Sequence, residues 1–531
     1  MGAVDIPELR FTPVDEIPER VRRLRTTFFQ QKTRPIDFRI LQLRKLYWAI
    51  KDREHAIKEA LHRDLRKAEY ESYLTEITML ENDIIFCTKN LPKWAKDEKA
   101  PDIDLTYSLM KPTIRKDPLG CVLIIGAFNF PFLLTLGPVI GAIAAGNTVM
   151  IKPSETAANS AAVIQDIIEA TFDPSFVCMT QGGVEETKTL LSQKWDKICF
   201  TGSSKVGRIV AQAAAPNLTP VLLELGGRNP AFITKNADLR LAARRLLWGK
   251  TLNAGQVCTS QNYILADKEV VPRLVDEFAK ALKEYYPQGL KASPDYSRMI
   301  NEAAFHRVKA MIDNSKGKIL LGGTMDEAEK FIEPTVVQVD SVEDSLLTEE
   351  SFGPIIPILP VENLDEAIKI ANEIDSTPLG LYPFGTKQEV EKVLTAVRSG
   401  GASINDAFMH ISVPTLPFGG VGESGTGCYH GRSSFEAFVH RRSITTTPGW
   451  VERVLAIRYP PYSGKLSKFL GAGAMRPNFD RNGREKRGML GWLVWMVTLG
   501  GGATKSGAAR STAAALVAYG LQQYAKRASK L

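Results

Sequence analysis

One cysteine differs from the other five cysteines of the chain in its surroundings. Cys258 lies in NAGQVCTSQN, residues 253–262, among small and polar residues. The others lie in apolar or ordinary surroundings: Cys87, Cys121, Cys178, Cys199 and Cys428. A thiol in a polar stretch is either a surface group or a nucleophile that attacks as the thiolate. Its neighbours in the fold decide between these interpretations.

A glutamate ends an apolar run 34 residues before this cysteine. Glu224 lies in LELGG, residues 223–227. Charged residues rarely interrupt an apolar strand without a partner or a function. Burial would raise the pKa of this carboxyl group towards the range that suits a general base. A strand-terminal side chain that reaches solvent is the alternative interpretation.

Two further motifs favour a nucleotide ligand. FTGSSKVG, residues 200–207, places Gly202 and Gly207 across a strand-to-helix turn, where phosphate can approach free backbone N–H groups. IKPSE, residues 151–155, places Lys152 and Glu155 at a strand end, within reach of ribose hydroxyls. A tight turn and a pair of solvated charges are the alternatives.

The elements that must position these residues alternate between strand and helix. Short apolar runs recur between helical stretches: GCVLIIGAFN (120–129), NTVMIKPS (147–154), SFVCMTQGG (175–183), KICFTGS (197–203) and PVLLELGG (220–227). This alternation predicts a doubly wound parallel sheet, followed by a second α/β region from about 228 to 440. The apolar spacing in 37–70 predicts an amphipathic helix.

Composition and charge exclude several classes of function. The chain has 531 residues, 44% of them hydrophobic and 24% charged, which is typical of a globular protein. The absence of a C-x-x-C pair or a Cys/His cluster predicts that no metal is bound. Residues 481–531 hold nine Lys/Arg and one acidic residue, so they account for the whole net charge of +8. The rest is neutral, which argues against nucleic-acid binding.

The two ends of the sequence bear on location. The first 20 residues lack the apolar stretch of a secretory signal, so we expect an intracellular protein. Residues 488–504, GMLGWLVWMVTLGGGAT, are apolar and follow the basic RNGREKR, which predicts a membrane-associating tail. Ser529-Lys530-Leu531 matches a peroxisomal address. A tail that packs on the protein itself is the alternative.

Taken in order, the motifs resemble those of the aldehyde dehydrogenase superfamily. They are AFNFP (127–131), KPSE (152–155), FTGS (200–203), ELGG (224–227), GQVC (255–258), ESFGP (350–354) and PFGG (417–420). PFGGVGESGTGCYHG (417–431) and the apolar tail are most similar to the class 3, fatty aldehyde dehydrogenase branch. The ends resemble those of filamentous-fungal members.

The resemblance implies an architecture. It implies an NAD-binding domain with amino-terminal helices at 1–224 and a catalytic domain at 225–416. It further implies a return to the cofactor domain with an oligomerisation segment at 417–450, and a linker with the membrane-associating tail at 451–531. A homodimer is implied as well.

The resemblance also implies roles for individual residues. Cys258 would attack the aldehyde, Asn129 would hold the oxyanion, and Glu224 would activate water. The cofactor would contact the remaining matched residues: Lys152, Glu155, Gly202, Ser203, Gly207, Glu350 and Phe352. An acidic residue at 155 favours NAD, although NADP is possible.

Long-chain apolar aldehydes are the expected substrates, and an apocarotenal of carotenoid biosynthesis is the specific alternative. A cysteine hydrolase is disfavoured because none of the six histidines lies in a comparable motif. The presence of Glu224 argues against a coenzyme-A-acylating enzyme. Cys258 and Glu224 together argue against a catalytically silent binding protein of the same fold.

Overall fold

A computed structural model of the chain describes residues 6–103, 105–467, 477, 479–485, 496, 512, 516 and 519. The chain divides into two compact units, Met1–Ala100 with Thr113–Ile444 and Pro101–Pro112 with Thr445–Leu531. Most of the predicted apolar tail at 488–531 lies outside the described residues. Among the residues that are described, no helix is long and apolar enough to cross a membrane.

The helices of the described residues lie mainly in the first unit. In chain order they are α1 (Ile17–Phe29), α2 (Ile36–Asp52), α3 (Glu54–Leu65), α4 (Glu69–Ser72), α5 (Thr78–Trp94), α6 (Leu105–Ser108), α7 (Pro131–Ala145), α8 (Ala158–Thr171), α9 (Val184–Ser192), α10 (Ser204–Ala214), α11 (Leu239–Thr251), α12 (Val271–Tyr285), α13 (Glu302–Asn314), α14 (Ser345–Thr348), α15 (Leu364–Ile374), α16 (Lys387–Ala396), α17 (Gly431–Ala437) and α18 (Glu452–Leu455). A π-helical turn, Tyr73–Ile77, joins α4 to α5.

The strands of the described residues all belong to the first unit. They are β1 (Glu98–Lys99), β2 (Thr113–Pro118), β3 (Cys121–Ile125), β4 (Thr148–Lys152), β5 (Val177–Met179), β6 (Lys197–Gly202), β7 (Val221–Leu225), β8 (Pro230–Ile233), β9 (Tyr263–Asp267), β10 (Lys318–Leu321), β11 (Met325–Asp326), β12 (Phe331–Ile332), β13 (Thr335–Gln338), β14 (Ile355–Val361), β15 (Gly380–Phe384), β16 (Gly401–Ala402), β17 (Gly425–Thr426) and β18 (Val439–Ile444).

The first sheet has the predicted doubly wound form. Its order is β17-β7-β6-β3-β4-β5, and only the β17–β7 pair is antiparallel. Val122 and Ile124 point into a core shared with α5, α7 and α8, whereas Leu123 and Ile125 point into a core shared with α1 and α10. Both faces of β3 are therefore buried, which explains its uninterrupted apolar sequence.

The second sheet lies in the predicted second α/β region. Its order is β10-β13-β14-β9-β8-β15-β16, and its pairs are parallel apart from β10–β13. Ile264 faces a core formed with α11 and α12, and Leu265 faces one formed with α13 and α15. The fold is thus an α/β fold with two mainly parallel sheets, each covered on both faces.

The chain crosses between the two sheets and then returns. It leaves the first sheet after β7, enters the second at β8, and rejoins the first at β17, where Gly425 pairs with Glu224. β18 then pairs with β2, which also pairs with β1, in a separate antiparallel sheet. The domain boundaries at 224/225, 416/417 and 450/451 stay predictions.

One helix prediction was wrong. The segment 37–70 is not one helix, because α2 ends at Asp52 and α3 ends at Leu65. Arg53 leaves helical geometry, with φ −105° and ψ 14°, and its side chain pairs with Asp166 on α8. Arg66 adopts left-handed geometry, with φ 51°. Two breaks let α2 pack on α5 and α3 pack on α8, and periodicity alone does not reveal them.

Candidate active site

Cys258 follows a turn with unusual backbone geometry. After α11, residues Asn253, Ala254 and Gly255 have φ values of 49°, 52° and 73°. Left-handed geometry is sparsely populated by residues with a Cβ and concentrates at functional sites. A Cβ on Gly255 would collide with the carbonyl oxygen of Gly353, so this position requires glycine. The turn brings half-buried Cys258 to the junction of the two sheets.

Asn229 fixes the backbone at the cysteine. Its Nδ2 donates to the carbonyl oxygens of Cys258 and Ser260, each at 2.8 Å. Its Oδ1 accepts from the backbone N–H of Gly380 at 2.8 Å. Asn229 is fully buried and directly precedes β8. The cysteine loop is therefore tied to two neighbouring strands of the second sheet.

Asn129 comes from the first sheet and reaches the same loop. It lies between β3 and α7 and is almost completely buried. Its Nδ2 donates to the carbonyl oxygen of Gln256 at 3.1 Å, two residues before Cys258. Its own carbonyl oxygen accepts from Nδ2 of Asn253 at 2.8 Å. The structure thus brings Asn129 and the Cys258 loop together.

Glu224 is a buried carboxyl group on β7. Its side chain is 1% exposed, and neither carboxylate oxygen has a hydrogen-bond partner among the described residues. Burial raises the pKa of Glu224 well above its usual value. Burial also raises the pKa of the Cys258 thiol, and the Glu224 and Glu350 carboxylates raise it further. Two acidic groups therefore lie within electrostatic range of the cysteine, and both disfavour its thiolate.

Glu350 faces the glycine turn that follows β7. A Cβ on Gly226 would collide with the Glu350 carboxylate, and the backbone of Gly227 hydrogen-bonds to it. Burial raises the pKa of Glu350 to about 8, although Lys250 and Arg307 favour its charged form. Phe352 has left-handed geometry, with φ 43°, and its ring contacts that of Phe128 at a centroid distance of 5.8 Å.

The other predicted residues form a second group at the same sheet edge. Lys152 ends β4, is almost completely buried and forms an ion pair with Glu155. Gly202 ends β6, two strands from β4, and Ser203 caps α10 by accepting from the N–H of Val206 at 3.4 Å. Carboxyl ends of parallel strands meet at one edge, which is where such sheets bind nucleotides.

The local chemistry of this group suits a dinucleotide. Ser203 is exposed, and the first N–H groups of the eleven-residue helix α10 lie beside it. A Cβ on Gly207 would lie 2.6 Å from Cδ2 of Leu225, so glycine allows α10 to pack closely on β7. A glycine turn, a helix amino end and a Lys–Glu pair supply donors for phosphate and partners for ribose. The residues therefore fit NAD(P).

The chain matches the profile of the Aldehyde dehydrogenase family over residues 11–444. It belongs to the aldehyde dehydrogenase family. Over 524 residues it is 48% identical to beta-apo-4'-carotenal oxygenase of Neurospora crassa, with 98% of each chain covered. It is 42% identical over 456 residues to the dimeric NADP-preferring aldehyde dehydrogenase of Rattus norvegicus, covering 86% of this chain and 100% of that one.

A solved aldehyde dehydrogenase structure agrees with this result. The substrate-bound state of Staphylococcus aureus AldH has a TM-score of 0.83 and 41% identity, and it covers 86% of this chain and 99% of that chain. The predicted family and its α/β fold are confirmed. The prediction that the chain is an NAD(P)-dependent aldehyde dehydrogenase is also confirmed. The roles of single residues and the domain boundaries stay predictions.

Two residues of this aldehyde dehydrogenase site, Lys250 and Asn229, were not predicted from the sequence. Lys250 on α11 is buried, and its Nζ donates to the carbonyl oxygen of Gln261 at 2.8 Å. Burial lowers the pKa of Lys250 to about 7, while Glu350 favours its charged form. Asn229 was missed too, although a polar residue in GGRNP directly before a buried strand was a usable signal. A lysine among helical residues gave no signal, because it resembles a solvated charge.

Proposed function

We propose that the chain oxidises long-chain apolar aldehydes to carboxylic acids with NAD(P), through a covalent intermediate on Cys258. The convergence of Cys258, Asn129 and Glu224 carries the proposal. A nucleophile, a donor for developing negative charge and a base are the groups that this reaction needs.

The first step is attack of the Cys258 sulfur on the aldehyde carbonyl, which gives a thiohemiacetal. The thiol proton must leave as the sulfur attacks, and water takes it up. Nδ2 of Asn129 carries two N–H groups. One donates to Gln256, so the other is available to the oxyanion, together with the backbone N–H of Cys258.

The cofactor, when bound, supplies the hydride acceptor. The Gly202–Gly207 turn with Ser203 would hold the pyrophosphate, and Lys152 and Glu155 would hold the adenosine ribose. Glu350 and Phe352 would position the nicotinamide ribose and ring. The carboxylate of Glu155 favours the ribose hydroxyl of NAD over the phosphate of NADP, and Lys152 moderates that preference.

Loss of hydride from the thiohemiacetal leaves a thioester on Cys258, which water must hydrolyse. Glu224 would accept a proton of the attacking water and pass it to the Cys258 sulfur as the C–S bond breaks and the carboxylic acid leaves. A carboxylate without a hydrogen-bond partner among the described residues is able to bind and orient that water. Glu224 thus serves as the base for the attack by water.

Apolar side chains near the junction of the two sheets support a lipophilic substrate. Half-buried Phe128, Leu133 and Ile411 pack against the same core as Cys258, and Leu133 and Ile411 also contact the core of the second sheet. An apocarotenal is the specific second candidate. The 48% identity to the Neurospora crassa beta-apo-4'-carotenal oxygenase over almost the whole of both chains favours it.

A substrate panel tests the proposal. NADH formation is measured with hexadecanal, propanal and β-apo-4′-carotenal, for the wild type and for Cys258→Ala. We expect kcat/KM to be highest for a long apolar aldehyde and activity to vanish in Cys258→Ala, whose NAD binding should be retained. An apocarotenal far above hexadecanal would favour the second candidate. Aldehyde binding without any NADH would indicate a silent binding protein, and a preference for propanal would contradict the lipophilic substrate.

We further propose that the protein is a membrane-associated homodimer directed to peroxisomes. The basic and apolar tail and the terminal Ser529-Lys530-Leu531 support the location. The rat relative is named as dimeric, which supports the dimer. Lipophilic aldehydes partition into membranes, so attachment would raise their concentration at the enzyme.

A further inference from the structure

A charged segment between α3 and α5 faces the active site. Residues 67–77 contain α4 and the π-helical turn, and Lys67, Glu71 and Glu76 interact with the active-site loops. π-Helical turns often mark functional sites. Segment 67–77 carries two carboxylates, Glu71 and Glu76, which are five residues apart and contact two different loops.

The first contact holds the loop of Asn129. Lys67 and Glu76 form a fully buried ion pair, with Nζ and Oε1 2.7 Å apart. Nζ of Lys67 also lies 3.3 Å from the carbonyl oxygen of Asn129. Oε2 of Glu76 accepts from the N–H of Phe132 at 2.9 Å, at the first turn of α7. The segment therefore fixes both Asn129 and the start of α7.

The second contact holds the turn before the nucleophile. Oε1 of Glu71 accepts from the backbone N–H of Asn253 at 2.8 Å, where the left-handed run begins. Nδ2 of Asn253 donates to the carbonyl oxygens of Asn129 and Gln256, at 2.8 and 3.1 Å. Asn253 thus links the two loops, and Glu71 holds Asn253.

We propose that Glu71 is a positioning residue that sets the distance between the Cys258 nucleophile and the Asn129 oxyanion donor. It touches neither substrate nor cofactor and acts through Asn253. This inference rests on the proposed roles of Cys258 and Asn129. Without the acceptor on Glu71, the left-handed turn loses one of its outside restraints, and Cys258 moves relative to Nδ2 of Asn129.

Misplacement of reacting groups lowers the rate of the chemical step more than it weakens ligand binding. In Glu71→Leu we expect kcat to fall about 10- to 100-fold, with the KM for NAD unchanged. Glu71→Gln keeps an acceptor oxygen, so it should recover most of that loss. Glu71→Asp keeps the charge but shortens the side chain by one methylene, so it should behave like Glu71→Leu.

The matched control is Glu69→Leu, on the same short helix. Glu69 is exposed, pairs with Lys58 at 2.8 Å and is a glutamate like Glu71. We expect wild-type kcat in this variant. Steady-state kinetics with hexadecanal are combined with hydrogen–deuterium exchange of the peptide 251–262, which reports the Asn253 N–H without requiring activity.

Faster exchange and lower kcat in Glu71→Leu and Glu71→Asp, but not in Glu69→Leu, would support the proposal. Faster exchange with unchanged kcat, or equal kcat losses in Glu71→Leu and Glu69→Leu, would overturn it. If Glu71→Leu does not fold, the comparison of Glu71→Asp with Glu71→Gln decides. A wild type that oxidises no aldehyde would overturn the proposed function, and with it this role, whatever the exchange shows.

Discussion

At the scale of single residues, Glu224 combines burial, a raised pKa and carboxylate oxygens without partners among the described residues. Such a group is costly to keep charged, and a costly charge usually serves a function. The same burial raises the pKa of the Cys258 thiol. The Glu224 carboxylate raises that thiol pKa further, so a charged Glu224 and a Cys258 thiolate disfavour each other.

Glu224→Gln should separate the two halves of the reaction. Without a base for water, the thioester persists, so a burst of NADH should precede a steady state slower by about 100-fold or more. The pKa of Glu224 is raised, so the active carboxylate is lost as pH falls through that raised value. The fall of kcat at low pH should therefore follow the protonation of Glu224, and this fall should be absent from Glu224→Gln. Rapid-mixing kinetics across pH measure both.

The turnover and the NADH burst of Glu224→Gln together define the role of Glu224. Unchanged steady-state turnover in Glu224→Gln would remove Glu224 from the mechanism. A variant with neither burst nor turnover would instead place Glu224 in the attack by sulfur. Retained NAD binding serves as the control that the sheet edge is intact.

At the scale of elements, the close packing of α10 on β7 connects the cofactor group to the catalytic group. Gly207 lies in α10, and Leu225, its contact on β7, directly follows Glu224. A side chain at 207 must therefore displace the Leu225 side chain, the amino end of the helix or the strand. Cofactor affinity should therefore depend on how closely α10 packs on β7.

Gly207→Val should weaken NAD binding. The added side chain would meet Leu225 at less than contact distance, because even its Cβ lies 2.6 Å from Cδ2. Overpacking of this kind costs about 1–3 kcal/mol of stability, and displacement of the helix end removes N–H groups from the pyrophosphate. We expect the NAD dissociation constant, measured by calorimetry, to rise about tenfold or more, in line with the 1.4 kcal/mol that corresponds to each factor of ten.

Gln212→Val is the matched control, because it places the same β-branched residue on the exposed face of the same helix. Its effect should be limited to helix propensity, at a few tenths of a kcal/mol. Equal NAD affinities in the two variants would contradict the packing argument.

The five parallel strands of the first sheet, β3 to β7, could be predicted, because each is a short run of apolar residues between turns. Cys258 and Glu224 could be proposed as site residues because each departs from its local surroundings. Glu71 could not be found. It lies 182 residues from Asn253 in sequence, and a glutamate in an amphipathic stretch resembles a solvated charge. The breaks at Arg53 and Arg66 were missed because tertiary packing overrides the helical period there.

At the scale of the whole molecule, charge and hydropathy are unevenly distributed. Residues 481–531 account for the whole net charge of +8, and they also contain the 17-residue apolar run 488–504. That run is shorter than the roughly 20 residues of a spanning helix and contains five glycines. Its tryptophans and the preceding RNGREKR suit an anionic membrane surface. The catalytic residues lie elsewhere, so attachment and chemistry should be separable.

Two truncations test this separation. Removal of residues 488–531 should release the enzyme from membranes with its Cys258 activity towards soluble aldehydes preserved, because every proposed catalytic residue lies within 129–352. Removal of Ser529–Leu531 alone should disperse a peroxisomal signal while the protein remains in the membrane fraction. Fractionation and fluorescence microscopy of tagged chains, with the tag at the amino end, measure both. A full-length protein that is found soluble in the cytosol would contradict both the anchor and the address.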